Sequence, residues 1–169
     1  IIFMPNPLLF RNFLVPFDEI NSEHVDTGIR EALQEAEATL AELTAYTGQR
    51  TYANTIQALD DLTEKLTKTV TIAGHLMSVK NSPELRTAYT SVLPEFSAFF
   101  AKLPLEEKLG QALKTFAEMP EAKALTGIRK RHVEKTLQEF RRAGADLPPE
   151  KKAQVKAINV ELSELQNKF

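Results

Sequence analysis

With 169 residues, 43% of them apolar and 26% charged, and a net charge of −2 from 21 basic and 23 acidic side chains, the chain is sized for one domain. A domain of that length buries roughly 70% of the surface its unfolded form exposes. The absence of cysteine excludes disulfides and thiolate metal sites and suits a reducing, cytoplasmic setting, and the balanced charge offers no broad field for nucleic acid or an anionic membrane, so neither is expected as a partner.

The leader from Ile1 to Phe17 is apolar, but Pro5, Pro7, Arg11 and Pro16 interrupt it and no small-residue cleavage site follows. It therefore reads neither as a secretory signal nor as a membrane span, which needs about 20 consecutive apolar residues. We expect residues 1–20 to form an extended arm whose Phe10, Phe13, Leu14 and Phe17 lie across a helical domain made by residues 21–169.

The first helix is expected near Ser22, with Ser22 as N-cap. Val25, Ile29, Leu33, Ala36, Leu40 and Leu43 follow in steps of three and four, and the helix stops by Gly48. Thr47 to Arg50 is a short polar connection. A second helix from about Thr51 to Val79 carries a wide stripe that includes Ile56, Leu59, Leu62, Leu66, Val70, Ala73 and Leu76. The β-branched run from Val70 to Ile72, followed by Gly74, predicts a bend there.

The third helix, opening at Ser82-Pro83-Glu84, has the most consistent local signals and is expected to organise the others. Ser82 is a good cap, Pro83 suits the first position, and Leu85, Tyr89, Val92, Phe96, Phe99 and Leu103 fall on one face. Pro94 predicts a kink, and Leu103-Pro104 an end. A fourth helix, about Leu105 to Glu118, presents Leu109, Ala112, Leu113 and Phe116. A fifth, about Thr126 to Ala143, presents Ile128, Val133, Leu137 and Phe140, with Gly144 placed to terminate it. A sixth starts at Pro149 and reads Val155, Ile158, Leu162, Leu165, Phe169; it has no closing polar turn and looks cut rather than finished. The expected fold class is all-α, an irregular, mostly antiparallel array of about six helices, with no period-two stretch long enough for a sheet.

The residues show no reaction chemistry. His24, His75 and His132 fall on three different helices, without HExxH or any other two-histidine ligand spacing, and each is read as structural. Arg129-Lys130-Arg131 with Arg141-Arg142 is read as a solvated helix face, because no aromatic residues interleave to stack on bases. The six glycines are scattered singly, so there is no phosphate loop. No catalytic, cofactor-binding or metal residue is assigned.

The order of several motifs resembles a known family. Asn6-Pro7-Leu8-Leu9, Pro16-Phe17-Asp18-Glu19-Ile20, Glu23-His24-Val25, His75-Leu76 with Val79, and above all Asn81-Ser82-Pro83-Glu84-Leu85-Arg86 with Ala88-Tyr89 resemble the N-terminal helical region of the oligopeptidase A, thimet oligopeptidase and peptidyl-dipeptidase family of zinc metallopeptidases. Leu93-Pro94 with Ser97, Gly144 to Leu147, and Leu162-Ser163-Glu164-Leu165 to Phe169 continue the likeness over nearly the whole chain. Tyr52 stands where that pattern has Trp, and Thr27-Gly28 where it has Pro-Ala. The resemblance implies a parent zinc peptidase that cleaves short peptides in a deep channel. This helical portion would form one wall, and the zinc ligands and catalytic glutamate would lie beyond Phe169. The partners implied are the catalytic domain and, through it, short peptides; weak self-association through the last helix is expected of the chain alone, unless that helix folds back onto the fifth. A free-standing helical interaction module that kept the fold without the enzyme is the alternative.

Overall fold

The computed structural model describes residues 6–10 and 14–168. Among the described residues there are α-, 3-10 and π-helical elements and no strand. The elements are a 3-10 turn at Pro7–Leu9, α1 (Ser22–Ala45), a π turn at Tyr52–Gln57 running into α2 (Ala58–Val79), α3 (Pro83–Lys102), a 3-10 turn at Leu103–Leu105, α4 (Glu107–Glu118), α5 (Pro120–Ala124), α6 (Gly127–Arg142) and α7 (Pro149–Lys168). The all-α expectation holds, with seven α-helices among the described residues rather than about six. The additional one is the five-residue α5, which Pro120 opens from the first helical position.

Two compact units divide the chain: residues 1–38 with 62–96, and residues 39–61 with 97–169. In the first, α1 is capped by Asn21 and not by Ser22. The Asn21 side chain accepts from the His24 N–H at 3.1 Å, and the His24 ring accepts from the Asn21 N–H at 3.3 Å, a reciprocal box at the helix start. Both residues are good caps, and the first helical carbonyl to be used is that of Asn21, bonded by Val25 N–H. Val25 and Ile29 are fully buried, as are Leu66 and Ala73 of α2 and Val92 of α3. Ser82 caps α3 by accepting the Leu85 N–H at 3.1 Å. No break interrupts α2 at Val70–Ile72: Val70, Ile72 and Ala73 are buried, and that packing outweighs the poor helix propensity of the run.

Of the aromatic and apolar residues expected to lie across the helices, Phe17 sets its ring 5.5 Å from that of His75, Phe10 and Leu14 are exposed, and Phe13 lies outside the described residues. The anchors are Leu8, 1% exposed, and Ile20, with the Asn6 side chain donating to His24 C=O at 2.9 Å and to Thr27 Oγ1 at 3.0 Å. Gly28 makes this seat possible, since a Cβ there would fall 2.9 Å from Asn6 Nδ2 and 3.0 Å from Leu8 Cδ2.

The second unit is built on α4, which packs against the π turn, α5, α6 and the 3-10 turn at Leu103–Leu105. Its Leu109, Ala112, Leu113 and Phe116 are all buried, the face read from the sequence. Phe99 and Leu103 at the end of α3 are buried in the same unit. Arg50, 7% exposed, closes α1 by donating to the carbonyls of Leu43 at 2.9 Å and Tyr46 at 2.7 Å. Helix α6 ends in a Schellman motif: Ala145 N–H bonds Phe140 C=O, Gly144 N–H bonds Arg141 C=O, and Gly144 takes φ +104°.

Candidate functional site

Each histidine makes a contact within the fold. His24 completes the cap of α1. His75 on α2 meets the ring of Phe17, centroids 5.5 Å apart. His132 on α6 has Nδ1 2.9 Å from the Tyr52 hydroxyl and Nε2 3.9 Å from Asp60 Oδ1. Among the described residues no group of three or more His, Cys, Asp or Glu side chains is arranged to hold a metal ion.

The basic run on α6 is partly engaged. The Arg129 guanidinium lies over the Tyr52 ring at 5.1 Å, and Arg141 is 3.5 Å from Asp146, which also pairs with Lys114 at 2.6 Å. Lys114 first, with smaller help from Arg141 and Lys152, holds the Asp146 carboxyl below its usual range against the opposing effect of desolvation. Lys130, Arg131 and Arg142 are exposed, as on a solvated face.

A shallow groove in the first unit is lined by Ser22, Glu23 and Asp26 of α1 and by Pro83, Glu84, Thr87, Ala88 and Ser91 of α3. Its carboxylates already serve the fold. Asp26 accepts from Ser91 Oγ at 3.1 Å and pairs with Arg30, which also bonds Glu95. The Glu84 carboxyl is held below its usual range by its own backbone N–H and by the Ser82 hydroxyl at the start of α3. Nothing in this arrangement assembles a nucleophile, a base and an oxyanion donor.

The surface that stands out is α7. Ile158 is 61% exposed, Leu162 51%, Leu165 46% and Val160 46%, while Val155 is half-buried. Val155, Ile158, Leu162 and Leu165 share one side of the helix by their three-four spacing. Val160 joins Ala153 and Ala157 on the other side, where they line a shallow groove edged by Lys156 and Glu161. A helix apolar on two sides is suited to burial on both. Sequence periodicity found the first side; the second escaped it because alanines carry little hydrophobic signal. The pairing of Tyr52 with His132 was also missed, since 80 residues separate them.

The family described as Neurolysin/Thimet oligopeptidase, N-terminal domain, matches residues 29–152. The chain is 35% identical over 164 residues to the organellar oligopeptidase A, chloroplastic/mitochondrial, of Arabidopsis thaliana, covering 97% of this chain and 21% of that protein. It is 33% identical over 166 residues to oligopeptidase A of Escherichia coli, covering 98% and 24%. It is 26% identical over 168 residues to the dipeptidyl carboxypeptidase of Escherichia coli, covering 97% and 25%. The chain thus spans between a fifth and a quarter of the length of these relatives.

Proposed function

The chain belongs to the neurolysin and thimet oligopeptidase family as its N-terminal domain, and from that premise we propose that it serves a zinc-dependent oligopeptidase as a wall of the substrate channel. The wall admits short peptides and excludes folded proteins, and the reacting groups are supplied by a catalytic part beyond residue 169. The observation that carries this reading is the extent of the match: almost all of this chain aligns with about a quarter of peptidases named for acting on oligopeptides.

The side chains support a scaffold role. All three histidines make contacts within the fold. Zinc, where the parent enzyme binds it, would be held by the catalytic part and would supply an activated water there. The exposed apolar sides of α7 suit burial against that part, at about 25 cal/mol for each Å² covered. Without it, α7 offers a surface for weak self-association. No helix among the described residues is long and apolar enough to cross a membrane. We place the protein in the cytoplasm, which cell fractionation tests.

Two measurements test the function. The 169-residue chain should neither bind zinc tightly nor cleave a quenched fluorescent peptide; chelator-sensitive cleavage, with contamination excluded, overturns the assignment of catalysis elsewhere. The coding sequence beyond residue 169 should encode an HExxH helix, and a stop codon in its place would establish the interaction-module alternative.

A further inference from the structure

The connection between α2 and α3 has no part in the peptidase reading, and what it carries stands independently of that reading. Residues 80–82 join Val79, the last residue of α2, to Pro83, the first of α3, and Asn81 in the middle is exposed. Among the described residues no hydrogen bond holds the Asn81 side chain or engages the Ser82 N–H. The Ser82 hydroxyl is occupied elsewhere, accepting the Leu85 N–H at 3.1 Å and supporting the Glu84 carboxyl. Other asparagines are placed differently. Asn21 is also followed by a serine, but its side chain accepts the His24 N–H at 3.1 Å and its own N–H bonds the His24 ring at 3.3 Å. Asn54 precedes the β-branched Thr55, accepts the Thr51 N–H at 2.8 Å and donates to the Gln49 carbonyl at 2.9 Å. Asn6 precedes Pro7, which has no N–H, and Asn159 lies inside α7.

We propose that Asn81 is a site of spontaneous deamidation, at which water converts the side-chain amide to aspartate and isoaspartate. The Ser82 backbone nitrogen, its proton given up to the solvent, attacks Asn81 Cγ. The new C–N bond closes a cyclic imide, the bond from Cγ to the side-chain nitrogen breaks, and that nitrogen takes a proton and leaves as ammonia. Water then opens the ring. Attack at Cγ gives aspartate; attack at the main-chain carbonyl gives isoaspartate, whose main chain runs through the former side chain and is longer by a methylene. The site serves this step with an amide free to rotate in an exposed connection, a following N–H left unbonded by the described residues, and an unbranched serine that lets the two atoms meet. Either product places a carboxylate beside the start of α3, where the helix dipole favours it and the charge of Glu84 opposes it. Isoaspartate also shifts Ser82 by the added methylene and so disturbs its bond to the Leu85 N–H.

Incubation of the 169-residue chain in warm, mildly alkaline buffer, followed by mass spectrometry of its proteolytic peptides, tests the site. The replacement of NH2 by OH is read at Asn81 and at Asn21, and chromatography separates isoaspartate from aspartate. In the folded chain Asn81 should convert faster than Asn21 by about fivefold or more, the factor that release from a helix cap represents. In denaturant both are an asparagine followed by serine in an unfolded chain, and the two rates should converge. A folded-state ratio no larger than the denatured one overturns the proposal. A product at position 81 that contains aspartate without isoaspartate also overturns it, because direct hydrolysis of the amide would then have bypassed the cyclic imide.

Discussion

At Gly28, one missing methyl group sets where the arm lies. A Cβ there would press on the ends of Asn6 and Leu8, not on the backbone of α1, so Gly28→Ala should act in opposite directions on two parts of the molecule. Alanine in the helix interior stabilises α1 by about 1 kcal/mol relative to glycine. The arm loses its seat, and the amides of Leu8 and Leu9, bonded to Asn6, should exchange faster. Amide exchange that is unchanged across residues 6–10 would show that the seat tolerates the methyl group. Asp146 gives a second test. Its depressed carboxyl, paired first with Lys114, contributes stability that is full above the usual carboxylate range and is lost as the pH falls below that range through the lowered titration of the folded state. Denaturant unfolding should therefore find Asp146→Asn less stable than the wild type at neutral pH and indistinguishable from it in strong acid. Added salt should shrink the neutral-pH difference, because the ion pair is half exposed.

Among the helices, apolar periodicity was legible wherever four to six apolar side chains kept one face, as in α1, α3 and α4, because burial on one side imposes that spacing. What it missed depends on polar geometry. Asn21 and Ser22 are equally good caps by type, and the His24 ring decides for Asn21. Arg50 looked like part of a polar connection, yet its guanidinium satisfies two carbonyls at the end of α1 and is buried for that reason. The π turn left no mark in the periodicity, although Thr51 and Asn54 form a capping box at its start. The likeness to a peptidase family was legible in short motifs, whereas the contacts of His132 depend on tertiary pairing that one sequence does not display. Pro94 is the one position in α3 where a helix-breaking residue sits inside the helix, and it is exposed. Replacing it with alanine restores the N–H that would bond Thr90 C=O and relieves the ring's pressure on that turn. Pro94→Ala should raise stability by about 1–3 kcal/mol. A loss in urea unfolding would mean that the helix is shaped to its packing by the proline.

For the chain as a whole, the question is what covers α7. Its four most exposed large apolar residues, Ile158, Val160, Leu162 and Leu165, lie within eight positions, and Ala153 and Ala157 leave the helix smooth beside Val160. A few hundred Å² of such surface favours burial by several kcal/mol at about 25 cal/mol per Å². The entropy of association, estimated at 4 kcal/mol or more, offsets most of that. The expected result is weak, concentration-dependent self-association of the isolated 169-residue chain, with no tight dimer. Sedimentation velocity over a hundredfold range of concentration measures it. Leu162→Glu should hold the chain as a monomer without much loss of stability, because Leu162 is half exposed and leaves no cavity when replaced. A wild-type chain that stays monomeric across the range would mean that the exposed stripe is tolerated in water. Association that survives Leu162→Glu would place the contact on another face.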